Sequence, residues 1–336
     1  MSQSDDPTIP AASDRFIGCL LGLAIGDALG LPASIERDAG SEPITGYEPL
    51  RDADGETRVL AGQFTSHTEL ALCLVESLVS GNGFVDPQMA GFRFVQVLAS
   101  DHGHLLDPTT RFALERAART AEYQAGIATD GVIEPGPAAR IAPIGLVHTL
   151  GRLNTELFVR EVMRATLITH SDPEAVNGAL AFAYAVHHVV RREIPPELLI
   201  AEILSFIDED TVARRLRVAD VALRNRSSDT DDAAALERIG AGGSIGESVA
   251  RALYLFVAHA PVFGRGVLAA ANSGSQAPAV AAMTGALLGA WVGVKAIPAP
   301  LVEGLDGRMY FLMASPALFR TAQRRAGLFL QLHQRP

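Results

Sequence analysis

The residues with most chemical potential lie in a short run, Thr65-Ser66-His67-Thr68. Histidine ordinarily titrates close to neutral pH, so His67 is suited to proton transfer, to hydrogen bonding with a phosphate or ribose, or to metal ligation. Ligation needs further donors, and no His-x3-His or cysteine pair lies beside it. Glu36 and Glu69 are the carboxylates that could act with His67 as acid and base. The run from Asp229 to Asp232 resembles a cation loop in composition, but reads better as a solvated loop capping a helix over 232–239. His187 and His188, adjacent on a helix, project about 100° apart and cannot chelate one ion together. Cys19 and Cys73 sit in apolar runs and read as buried, reduced thiols. No Walker-type loop, Gly-x-Gly-x-x-Gly turn after a strand, or nucleophile elbow occurs.

The elements that must position these groups are helices. Segments rich in Ala and Leu recur at helical spacing, broken at Gly, Pro and Asp-Pro pairs, over about 14–31, 66–80, 86–100, 107–125, 155–169, 172–191, 195–206, 246–258 and 277–294. Asp86-Pro87, Asp107-Pro108 and Asp172-Pro173 each read as an N-cap followed by proline in the first turn. Alternating strand patterns are scarce, so the fold class is all-α. With 336 residues, 48% hydrophobic and 20% charged, the chain can bury a large core. No convincing linker divides it, which predicts a flexible tail over 1–13 and one domain over 14–333.

The formal net charge is −10, and basic clusters such as Arg214-Arg215-Leu216-Arg217 are short. Nucleic acid is therefore excluded as the main partner. The apolar stretch from Phe16 to Ala33 contains Asp27 and four glycines, too punctuated for a membrane span. The N-terminal residues lack the order of a signal peptide, and the expected compartment is the cytoplasm.

Two segments carry glycine stripes. Gly18, Gly22, Gly26 and Gly30 recur every four residues, as do Gly285, Gly289 and Gly293. On a helix this spacing clears one face, so that a second helix backbone can approach closely. Glycine costs about 1 kcal/mol per helical position relative to alanine, so tight packing must compensate.

Four segments in order resemble the ADP-ribosylglycohydrolase family. The first is Gly18-Cys-Leu-Leu-Gly-Leu-Ala-Ile-Gly-Asp-Ala-Leu-Gly-Leu-Pro32, similar to its opening helix. Arg140-Ile-Ala-Pro-Ile-Gly145 is similar to its central turn, Thr169-His170 to its Thr-His before a long helix, and Gly285-Ala-Leu-Leu-Gly-Ala290 to its last glycine-striped helix. The resemblance implies a compact orthogonal multi-helix bundle, with a cleft where the two striped helices meet.

Active family members hold two magnesium ions with a glutamate, a Thr-Asp-Asp-Thr run and an Asp-x-Asp-Thr run. The corresponding positions here are Ser34, Thr65-Ser66-His67-Thr68 and Gln276-Ala277-Pro278-Ala279, so all five carboxylates are replaced. Hard dications want oxygen ligands and counter-charge, so magnesium is expected to be absent and no metal ligand is assigned. Asp27 is expected to hydrogen-bond internally, and His170 to serve the fold at a helix start. The stretch Glu134-Pro-Gly136-Pro-Ala-Ala-Arg140 replaces a loop that in the family approaches ADP-ribose, and its two prolines imply a stiffer loop.

The resemblance thus points to a family member without the magnesium-dependent hydrolase activity. A ligand of ADP-ribose or nucleoside type would contact Ser34, Thr65, Ser66, His67, Gly136, Ser273, Gly274, Ser275 and Gln276, with His67 the one catalytic candidate. Two alternatives stand beside this: a metal-independent hydrolase of an N-glycosidic or related bond using His67, and a scaffold whose cleft is vestigial and filled.

Overall fold

The computed structural model describes residues 10–34, 42–52, 54–124, 126–129, 131–227, 232–274 and 276–328. Sixteen α-helices account for most of it. In chain order they are α1 (Ala12–Gly30), α2 (Ser66–Ser80), α3 (Pro87–Gln96), α4 (Pro108–Thr120), α5 (Gly136–Ala139), α6 (Ala142–Val147), α7 (Thr155–Thr166) and α8 (Pro173–Arg191). There follow α9 (Leu199–Phe206), α10 (Thr211–Arg224), α11 (Asp232–Ile239), α12 (Ile245–His259), α13 (Phe263–Ala271), α14 (Ala277–Val292), α15 (Ala299–Glu303) and α16 (Arg308–Arg325). Among the described residues the sole sheet is an antiparallel pair, β1 (Leu50–Arg51) with β2 (Thr57–Val59). The fold class is all-α, as the helical spacing requires.

The glycine stripes explain the centre. α1 and α14 form the most extensive helix pair, with their backbones in direct apposition. A Cβ on Gly18 would lie 2.1 Å from the carbonyl oxygen of Gly289, one on Gly22 2.1 Å from that of Gly285, and one on Gly26 1.8 Å from that of Ala281. Such approach is closed to any residue with a side chain. Gly293 departs from the expected stripe: it ends α14 with φ 75°, a left-handed conformation. By length and composition Ala12–Ser34 could cross a membrane, yet 89% of its apolar window is buried inside the fold. It is the core helix.

Expected caps are kept at two of three sites. Asp86 accepts from the amides of Gln88 and Met89, and Asp107 from that of Thr110. Asp172 stands at the start of α8 without capping it, and accepts instead from the amide and hydroxyl of Thr129. The first helix begins at Ala12, inside the stretch expected to be tail, and residues 1–9 lie outside the described residues. Helices α5, α6, α10, α13, α15 and α16 have no counterpart among the expected segments. The last of these continues through Pro316, which helical spacing alone reads as a break.

Candidate active cleft

The N-termini of α2, α4 and α14 converge on one cleft of about 240 Å³, beside the end of α1. Ser34, Thr65, His67, Asp107, Glu134, Gln276 and Pro278 supply most of its polar and shaping groups. Asp27, fully buried at the end of α1, builds one wall. Its carboxylate accepts from the amide and hydroxyl of Thr65 and from the amide and hydroxyl of Thr68, at 2.6 to 3.2 Å. Thr65 in turn caps α2 by accepting from the His67 amide at 3.1 Å. This chain fixes the first turn of α2 and sets the His67 ring in the cleft. It also saturates Asp27, as expected of an internal hydrogen-bonding group.

The expected contact residues divide. Ser34, Thr65, His67 and Gln276 line the cleft. Gly136 forms its wall, since a Cβ there would stand 3.0 Å from Asp107 Oδ2 and 3.9 Å from His67 Cε1. Ser66 is turned inward, donating to the carbonyl of Leu105 at 3.1 Å. The carbonyl of Ser273 accepts from the buried Arg251, and Gly274 lies nearest to Ala241 and the same arginine. Both therefore support the loop before α14 and do not line the cleft; Ser275 lies outside the described residues.

Of the expected acid–base partners of His67, Glu69 is engaged elsewhere. Glu69 accepts from Ser100 at 2.8 Å and pairs with His102 Nδ1 at 2.9 Å. Burial lowers the His102 pKa, but Glu69 outweighs burial and raises it. Glu36 lies outside the described residues, as do Asp229, Thr230 and Asp231. Asp232 does open α11, where it is held by His259 at 2.6 Å and Tyr254 at 3.1 Å. The rings of His187 and His188 stand nearly perpendicular, with centroids 5.2 Å apart.

Sequence reasoning missed two cleft carboxylates. Asp107 read as a helix cap, which it is through Oδ1, while Oδ2 faces Gly136. Glu134 lies in the proline-bearing stretch and accepts from the Thr109 hydroxyl at 3.1 Å. Burial pushes the Glu134 carboxyl up, but the His170 ring and the Thr109 hydroxyl outweigh it and hold it below the usual range. His170 is wholly buried, bridged through its backbone to Ile127, with Nδ1 2.9 Å from Thr169 Oγ1. Its role in the fold is evident, yet its Nε2 points 3.7 Å from Glu134 without a hydrogen-bond partner. Arg140, 1% exposed, donates to Thr169 Oγ1 and sits near Asp107. Burial lowers its pKa to about 10, with Asp107 opposing the shift.

Comparison with known proteins agrees with this architecture. The ADP-ribosylglycohydrolase family profile matches residues 8–328. An uncharacterized protein of Archaeoglobus fulgidus is 29% identical, over 93% of this chain and 98% of its own length. The ADP-ribosylarginine hydrolase Tri1 of Pseudomonas putida is 26% identical, over 93% of this chain and 79% of its own. A solved structure named as an ADP-ribosylglycohydrolase-related protein complex superposes with a TM-score of 0.72 at 28% identity, covering 93% of this chain and 99% of its own. The chain belongs to the ADP-ribosylglycohydrolase family.

Proposed function

We propose that this protein binds ADP-ribose, or a related nucleotide or sugar ligand, in the cleft without the family's magnesium centre, and lacks the magnesium-dependent hydrolase activity. One observation carries the reading. At the positions matching the family's ligands the cleft presents Ser34, Thr65, His67, Gln276 and Pro278, with no carboxylate among them. Asp27, behind Thr65 and Thr68, is occupied by four donors, and the two carboxylates that do line the cleft, Asp107 and Glu134, lie outside the positions matching the family's ligands. These groups do not fit two dications, whose charges would go unneutralised. They do suit hydroxyl and phosphate oxygens. The volume falls below the roughly 300–1,000 Å³ of drug-sized sites, so the cavity holds one sugar-sized moiety while the rest of the ligand runs along its mouth. The relatives' names, which include an ADP-ribosylarginine hydrolase, favour ADP-ribose as that ligand. We further assign the protein to the cytoplasm, where free thiols such as Cys19 and Cys73 persist.

Calorimetric titration of ADP-ribose into the purified protein, with and without Mg2+, tests the proposal. The expected result is binding on the order of micromolar, about −8 kcal/mol, unchanged by Mg2+. His67→Ala is expected to weaken it about tenfold, the equivalent of one good hydrogen bond. Absence of heat in both conditions would refute the ligand. A Mg2+-dependent rise of several degrees in Tm would refute the loss of the metal centre.

A second reading is supported by Asp107 and Glu134, which share the cleft with His67 and could serve acid–base hydrolysis without magnesium. His67→Ala would then abolish release of ADP-ribose from a modified arginine peptide in EDTA, and unchanged release would sink this reading. The open cleft weighs against the vestigial-scaffold alternative.

A further inference from the structure

A second constellation in the cleft stands apart from the positions that match the family's metal ligands. Asp107, Glu134 and His170 each bring one potential ligand atom within 4.8 Å of the others. Two neighbouring carboxylates would mean little by themselves. The independent observation is His170, fully buried, with Nε2 aimed at Glu134 Oε2 and lacking a hydrogen-bond partner. A buried nitrogen left without a partner is unfavourable unless something fills the gap. Their separation of 3.7 Å is too long for a hydrogen bond. It is close to the distance between two ligands of one cation when each bond is about 2.0–2.2 Å.

The surroundings support the same conclusion. Thr169 Oγ1, 2.9 Å from Nδ1, can accept its proton, leaving the Nε2 lone pair toward the carboxylates. Outer hydrogen bonds of this kind orient metal-ligating histidines. Asp107 spends Oδ1 on the α4 cap and keeps Oδ2 toward Gly136, where any side chain would crowd it. Thr109 steadies Glu134.

We propose that Asp107, Glu134 and His170 bind one divalent transition cation of the zinc class. One imidazole nitrogen with two carboxylates favours such an ion over magnesium or calcium, which prefer all-oxygen shells. Three protein ligands beside an open cleft leave a fourth position for water or a ligand, the pattern of reactive rather than structural zinc. The buried Arg140 guanidinium adjoins Gly136 on the same side as Asp107 Oδ2, so the cluster's net charge matches no more than a single dication. The site shares the cleft with the proposed ligand but uses none of the positions that match the family's metal ligands, and Co2+ binding is read without ADP-ribose present.

The test is titration of chelator-stripped full-length protein with Co2+, read by visible d–d absorption, followed by Zn2+ competition. One equivalent of Co2+ should produce a band that Zn2+ removes and excess Mg2+ does not. Glu134→Gln should weaken Co2+ binding at least about tenfold. His104→Ala, at an exposed histidine outside the cluster, should leave the band intact. Asp107→Asn provides a second ligand variant, with circular dichroism to verify folding. No band at one equivalent, displacement by Mg2+, or full Co2+ affinity in both carboxylate variants would each overturn the proposal.

Discussion

Gly26→Ala places a methyl group where α1 meets α14. The new Cβ would lie 1.8 Å from the Ala281 carbonyl oxygen and 2.4 Å from its carbon. Ordinary contact needs about 3.5 Å, so the helices must part locally by nearly 2 Å. The obstacle is backbone, so no rotamer change relieves it. A gap of even about 0.5–1 Å forfeits a quarter to a half of the dispersion energy of the atoms lining it. Overpacking of a tight core costs about 1–3 kcal/mol and sometimes more, whereas alanine's helix propensity returns about 1 kcal/mol. Because clash and separation act together, the expected net loss is about 2–4 kcal/mol. At about 2–4 °C per kcal/mol for a large domain, Tm should fall by roughly 4–16 °C. Gly264→Ala is the control: in α13 its Cβ would meet nothing nearer than Pro298 Cγ at 3.7 Å, so stability should hold or rise by up to about 1 kcal/mol. Differential scanning calorimetry reads both. If Gly26→Ala melts with the parent protein, or both variants shift alike, the close backbone approach is not what organises the core.

Asp27→Asn should destabilise by about 3–5 kcal/mol, because an amide offers one acceptor to four donors and turns its own N–H groups toward them. A change below about 1 kcal/mol in urea denaturation would contradict that accounting. Burial, helped by His188 and Arg191, holds the His187 pKa at about 3, against an ordinary 6.5. Between those values the unfolded chain binds the proton and the folded one does not. This part of the stability is therefore complete above about pH 6.5 and is lost as pH falls toward 3, by up to about 1.4 kcal/mol per pH unit. In His187→Gln the acid limb of the stability curve should flatten by up to one proton; an unchanged slope would show that His187 does not carry it.

Fold class, the central helix pair and the family were legible in the residues alone. Those rest on local or repeating features: helical spacing of apolar residues, and glycines every fourth position whose sole structural use is a close backbone approach. The sequence also located Thr65 and His67 at the start of a helix and assigned Asp27 an internal role, since both belong to contiguous motifs. What it could not reach was the outward or inward direction of neighbours in an irregular turn. Ser66 and His67 are adjacent, yet one donates to Leu105 while the other enters the cleft. Glu69 faces His102 because α2 packs against the turn that carries it. Above all, the group formed by Asp107, Glu134 and His170 spans three separate segments. Asp107 is locally explained as a cap and Glu134 as part of a stiff loop, so neither signals a second purpose. Only the packing of α4, the turn before α5 and the turn before α8 brings them together, because contacts between distant segments are set by burial of the whole core and not by any local pattern.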